Sequence, residues 1–390
     1  MRICFFSAQY LPTVGGVERY TYNLAKQVIA AGHRAIVVTS ALPGLPEQEV
    51  SPEGIQIFRL PAWLFMNGRF PVPKPGSALQ KAIAPVWEQP IDLCVINARF
   101  YMSSLYAARQ CKKRGIPAIL IEHSTSHLQM GNALLNTAGN LYEHFAAAYI
   151  HHYCPRFFGV SQTVCQWLEH FGIHAEGTLY NSVEPEELLA LADAPDAVDW
   201  RDRLGLEADT RLVVFVGRLI PEKGIQTLID AFVKADVPHS ALVAAGDGPL
   251  MEALQKNCPA NVYLVGSVPY AETLQLLRQG QLYCLPTFSE GFATTFLEAA
   301  ACGCPIVTTP TGGSNELLLD DRYGLKLPDA DTSRFAEAIQ TALSDEAWRQ
   351  TAAQLTQERL RQYFTCGAVA QKLLDIAQNA QNNKGGSFPC

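Results

Sequence analysis

Short apolar runs that feed stretches of helical spacing recur along this chain, and past its midpoint the pattern begins again. In the first half, β-rich runs at 3–7, 35–39, 93–97 and 118–122 alternate with helical patterns at 16–31 and 103–114. Runs at 212–216, 241–245, 262–265, 282–285 and 305–308 repeat the scheme, each followed by a helix-compatible segment. A strand apolar on both faces needs helices over both, so this alternation predicts α/β architecture with parallel, doubly wound sheets. The restart predicts two of them. At 390 residues the chain exceeds one ordinary core and suits two domains of roughly 150 to 200 residues. We expect these at 1–180 and 181–365, facing each other across a cleft.

The join is expected at Asn181-Ser182-Val183-Glu184-Pro185, after which the composition turns acidic and rich in Ala, Asp and Pro through Asp199. Amphipathic helices are predicted at 332–343, 346–363 and 368–380, followed by a fraying polar tail at 381–390. Residues 61–75 hold Trp63, Phe65, Phe70 and four prolines, which exclude a regular helix or a central strand. They read as a loop, with Trp63 a candidate acceptor-side or membrane-facing residue.

Charge and cysteine content narrow the function. The net charge of -7 is uneven, with 14 basic against 10 acidic residues through Tyr180 and 16 against 27 beyond it. A basic N-terminal half suits an anionic lipid surface or a phosphorylated acceptor, or is simply a solvated face. An acidic chain without basic runs interleaved with aromatics argues against nucleic acid. Eleven cysteines without paired metal spacing predict reduced thiols in the cytoplasm and no metal site. The first residues read as a buried strand rather than a signal peptide, and no apolar run is long enough to span a membrane.

Four strand-end segments carry the chemistry, in the place where such sheets put ligands. Gly15-Gly16-Val17-Glu18 opens a helix whose amides can face an anion, but no Gly-x-Gly-x-x-Gly pattern is present, which disfavours a nicotinamide enzyme. Gly217-Arg218 with Lys223 offers a planar fork and a point charge for two phosphates. Gly246-Asp247-Gly248-Pro249 is a tight turn in which Gly248 allows close approach. Glu290-Gly291-Phe292-Ala293 through Glu298 is the most specific: a helix starting near Phe292 would present its dipole to a diphosphate. Its carboxylates, eight residues apart, would stand about 12 Å apart if helical throughout, near hexose and ribose respectively. His123 and His127 follow another strand, positions from which they can meet sugar hydroxyls.

Together these residues resemble retaining glycosyltransferase family 4, whose fold is GT-B, and the resemblance covers essentially the whole chain. Its strongest part runs from Glu290 to Glu298, then through Gly303-x-Pro305 and Gly312-Gly313-x-x-Glu316. The resemblance implies that Arg218 and Lys223 grip the diphosphate, that Glu290 with the Gly291 and Phe292 amides holds the sugar, and that Glu298 holds the ribose. It makes His123 the active-site histidine, matches Gly15-Gly16 and Asn181 to the family's glycine loop and domain-junction asparagine, and returns the last helix, 366–380, to the N-terminal domain. Ala293 and Thr294-Thr295 depart from the family pattern. The implied activity is metal- and cofactor-free transfer of a hexose from a UDP- or GDP-sugar to a glycan or lipid-linked acceptor, in cell-surface polysaccharide or glycolipid synthesis. Its implied place is the cytoplasm, with peripheral contact at the inner membrane. A non-catalytic nucleotide-sugar-binding protein and a nucleotide-sugar epimerase remain the alternatives.

Overall fold

A computed structural model describes residues 1–385 except 14, 67 and 129–131. Packing divides the chain into two compact units, one of Met1–Ser182 with Cys366–Cys390, the other Val183–Thr365. Asn181 and Ser182 therefore group with the N-terminal unit.

The N-terminal unit is built on an eight-stranded sheet. Its strands run, from one edge, Gly177–Thr178, Phe157–Gly159, Ala118–Glu122, Leu93–Asn97, Arg2–Phe6, Arg34–Ser40, Gln56–Leu60 and Gln48–Val50. All neighbours are parallel except the last pair. Central strands such as Arg2–Phe6 and Leu93–Asn97 are buried on both faces because helices cover both. The C-terminal helix, Cys366–Gly385, packs here against Gly16–Ala30 through an apolar stripe that includes Val369, Leu373 and Ala377. It runs past residue 380, where the sequence predicts fraying, and Gln381 is hydrogen-bonded to Asp92. The polar residues there ride on a helix already docked by the preceding turns.

Residues 61–75 also differ from expectation. They form a separate antiparallel hairpin, Ala62–Phe65 with Phe70–Pro73, rather than a loop. Isolated two-stranded ribbons have no second ladder to interrupt, so prolines are tolerated there. Trp63 stands 47% exposed on this hairpin, while Phe70 packs against Tyr101.

The C-terminal unit has six parallel strands in the order Val262–Gly266, Ser240–Ala245, Arg211–Val216, Leu282–Leu285, Ile306–Thr308 and Leu325–Lys326. Numbered along the chain, this order is 3-2-1-4-5-6, and the N-terminal parallel strands follow the same scheme with a seventh at one edge. Each unit is thus a Rossmann-like doubly wound sheet that reverses direction beside its first strand.

At the carboxyl ends of the first two strands of the C-terminal unit, backbone segments approach within contact distance. A Cβ on Gly246 would fall 1.9 Å from the Gly217 carbonyl oxygen, and Gly246 has a φ of +142°. Gly246→Ala should therefore destabilise the unit by at least about 2 kcal/mol, combining overpacking with backbone strain. Gly205→Ala, with φ +66° but open space around it, should cost only about 1 kcal/mol. Urea unfolding midpoints of the two variants check the contrast.

Candidate active site

Beyond strand Arg211–Val216, the chain passes Gly217 and Arg218 into the tight turn Pro221–Lys223 and the helix Ile225–Ala235. Beyond the adjacent strand Leu282–Leu285, it passes Thr287 and Glu290 into the helix Thr294–Cys302. These two strands flank the reversal point, where diverging connections leave a crevice. Lys223 Nζ and Glu290 Oε1 form an ion pair there. The Phe288 amide donates to the Glu222 carbonyl at 2.9 Å, and the Thr287 hydroxyl donates to the same oxygen at 3.1 Å, which locks the two loops together.

The helix begins at Thr294, not near Phe292 as the sequence suggests, so Glu290 lies in the loop and the spacing to Glu298 is not helical throughout. Packing by the next loop is the reason. The Gly312 amide donates to the Glu290 carbonyl at 3.1 Å, a Cβ on Gly312 would sit 2.0 Å from the Gly291 oxygen, and Gly313 lies against the Phe292 ring. Ala293 occupies the cap in extended conformation and has no polar side chain of its own to cap the helix. Glu298, buried on that helix, accepts a hydrogen bond from the Tyr270 hydroxyl at 2.9 Å. Arg218 is exposed, and its side chain makes no ion pair among the described residues. Gly248 lies against the same loop, where a Cβ would come 2.5 Å from the Leu219 oxygen. Arg218, Lys223, Gly248, Glu290 and the residues after it thus share one edge of one sheet.

The N-terminal unit holds the rest. Gly15 caps the first long helix, and the Glu18 carboxyl folds back over it, so that a Cβ there would lie 2.2 Å from Glu18 Oε2. Burial raises the Glu18 pKa. Gly16 has open space around it. Asn181 is buried, and its side-chain oxygen accepts from the Ser182 amide at 3.0 Å.

His123 follows the strand Ala118–Glu122, with Nε2 3.0 Å from Asn97 Oδ1 and the Tyr20 ring edge-on at 5.0 Å. An amide oxygen only accepts, so Nε2 carries the proton. Burial pushes the His123 pKa down to about 4, against a smaller upward pull from Glu122. At neutral pH the ring is uncharged, with Nδ1 as its acceptor nitrogen. Such a ring can receive a hydroxyl hydrogen bond but is a poor general acid.

Sequence reasoning missed the residues that hold this histidine. Arg99, fully buried, lies 3.0 Å from Glu122 and is hydrogen-bonded to Glu143, which is also fully buried. The Glu122 carboxylate accepts the amides of Arg99, His123 and Ser124 at 3.0 to 3.1 Å. Burial alone would raise the Glu122 pKa, but Arg99 and these amides more than offset it and hold it low. A usable signal existed: Arg99 follows the apolar run 93–97 almost directly, and a charge there must be paired or exposed. Tyr270 carried no comparable signal.

Loss of this arrangement in acid is measurable. The folded His123 binds its proton less tightly than an unfolded histidine at its ordinary 6.5, so the unfolded chain protonates first as pH falls. That stability is complete above about pH 6.5 and declines toward pH 4. In His123→Asn, the drop in urea midpoint between pH 7 and pH 5 should be smaller than in the parent.

Comparison with known proteins agrees in outline. Residues 196–361 match the family model described as glycosyl transferases group 1, and residues 14–187 match glycosyltransferase family 4. A phosphatidylinositol N-acetylglucosaminyltransferase subunit from Arabidopsis thaliana is 24% identical over 357 residues, covering 88% of this chain and 74% of that protein. Sucrose-phosphate synthase from Thermosynechococcus elongatus superposes with a TM-score of 0.75 at 20% identity, over 98% of this chain and 99% of that one. HepE from Anabaena, in complex with UDP-glucose, gives 0.71 at 20% identity, over 97% and 100%. These structural likenesses identify the fold as GT-B. Among the described residues, no helix is long and apolar enough to cross a membrane.

Proposed function

Because the chain belongs to glycosyltransferase family 4, we propose that it moves a hexose from a UDP- or GDP-sugar onto a glycan or lipid-linked acceptor with retention at the anomeric carbon. The observation that carries this reading is the Lys223–Glu290 pair at the reversal point of the C-terminal sheet, on the same connection as Arg218, whose side chain makes no ion pair among the described residues. Among these three side chains one carboxylate faces two cations, so one cation is left over for a diphosphate. The dipole of the helix Thr294–Cys302 adds to it.

In this reading Arg218 and Lys223 stabilise the charge that builds on the leaving diphosphate, an electrostatic effect organised before reaction. No metal or other cofactor is needed there, since side-chain cations do that work. Glu290 faces the sugar, and Glu298, oriented by Tyr270, takes the ribose hydroxyls. Gly217, Gly248, Gly291, Phe292 and Ala293 shape the backbone around the donor. The leaving phosphate takes the acceptor proton on the same face. His123 accepts a sugar hydroxyl through Nδ1, while Gly15, Gly16 and Asn181 complete the N-terminal contribution, and Trp63 and His127 belong to the acceptor side. Relatives named for a UDP-glucose complex and for a phosphatidylinositol acceptor support these substrate classes. The acceptor class favours work at the cytoplasmic face of a membrane, through the basic N-terminal half.

A panel of UDP- and GDP-hexoses should raise the melting temperature with one nucleotide only. With that donor, turnover should persist without added magnesium or manganese, and NMR of the product should show a retained anomer. Arg218→Ala should then lower kcat by at least about 100-fold. A near-normal kcat in that variant would remove Arg218 from the mechanism.

A further inference from the structure

Three histidines that no motif connects meet in the N-terminal unit. His127 comes from the loop after strand Ala118–Glu122, His144 from the helix Ala133–Tyr153, and His170 from the end of the helix Gln162–Glu169. One ring nitrogen from each lies within 4.8 Å of the others. His127 Nε2 and His170 Nε2 are 3.2 Å apart. Two imidazoles on a tetrahedral zinc ion, at about 2.0 to 2.1 Å each, stand about 3.3 Å apart, so this pair already has the edge length of a zinc tetrahedron.

What lies behind His127 points the same way. Its Nδ1 is buried without a hydrogen-bond partner among the described residues and lies 3.3 Å from Glu143 Oε2; Glu143 is itself fully buried, hydrogen-bonded to Arg99 and accepting the Leu128 amide at 2.7 Å. A carboxylate so placed is the partner that the far nitrogen of a ligating histidine takes, once a small ring rotation brings the N–H onto it. The surrounding charge is favourable: two carboxylates, Glu122 and Glu143, flank the single guanidinium of Arg99. His144 and His170 are exposed and free to close the remaining distance onto an ion. Trp167 and Phe171 wall the cluster, with the Trp167 ring stacked on His170 at 5.0 Å.

We propose that His127, His144 and His170 bind one divalent zinc-class ion, with water at the fourth position. The ion ties the loop that carries His123 and His127 to two helices of the same unit. All three ligands belong to the N-terminal unit, whereas the proposed diphosphate-binding residues belong to the C-terminal one, and zinc binding does not depend on the transferase reading.

The test uses the full chain, stripped by a chelator and dialysed, with no nucleotide present. Titration with zinc chloride should give one ion per chain with a dissociation constant of micromolar or tighter, and cobalt substitution should give the visible bands of a tetrahedral site. His144→Ala and His170→Ala, both at exposed positions, should each weaken zinc at least 10-fold with an unchanged circular dichroism spectrum. His239→Ala, in a second and wholly exposed group with Glu207 and Asp209, should leave that binding unchanged. Zinc affinity that survives both cluster variants, or that is lost only with His239, overturns the proposal, as does the absence of stoichiometric binding.

Discussion

Close approach of backbone to backbone at the carboxyl edge of the C-terminal sheet is the constraint on which the geometry of the proposed donor side rests. Gly246 lies against Gly217, Gly248 against Leu219, and Gly312 against Gly291, each at a distance that no Cβ tolerates. Those contacts join the four strand-end loops in pairs, and Gly224, where a Cβ would lie 2.0 Å from the Pro286 oxygen, joins the two pairs. Only then can Lys223 and Glu290, which belong to different loops, pair at a partly buried position. A partly buried ion pair stabilises little by itself, since desolvation offsets much of the attraction. Its consequence is positional: it holds a cation and a carboxylate beside the start of a helix whose cap residue is an alanine.

The two units solve opposite electrostatic problems. In the C-terminal unit Glu290 neutralises Lys223, and the exposed Arg218 supplies the positive charge left over. In the N-terminal unit a buried arginine is outnumbered by two glutamates, and the neighbouring His123 is kept uncharged by burial. One edge is thus suited to an anionic leaving group and the other to neutral hydroxyls. The proposed transfer from a diphosphate to an alcohol would draw on both.

Much of this was legible because the strands of parallel sheets are apolar on both faces. The runs at 93–97, 118–122 and 282–285 coincide with observed strands for that reason. Arg218, Lys223 and Glu290 stood out because polar residues on strand-end loops must be explained, and Glu298 because a carboxylate amid an apolar helical run needs a partner if buried, which Tyr270 supplies. What escaped depends on tertiary packing. The helix start at Thr294 is set by Gly312 and Gly313, residues outside the segment. The hairpin at Ala62–Phe65 follows from a separate ribbon in which proline costs little. Arg99 and Glu143 meet across 44 positions, and the histidine cluster joins three segments without any ligand spacing. Periodicity carries no trace of such encounters.

In the proposed complex the nucleotide diphosphate is held by the loops around Lys223 and Glu290. Hydrogen–deuterium exchange of the full chain, with and without the nucleoside diphosphate that stabilises it, tests this most directly. Slowed exchange is expected at 217–224 and 290–298 within the C-terminal unit. Protection that leaves both segments unchanged while appearing elsewhere in that unit would contradict it.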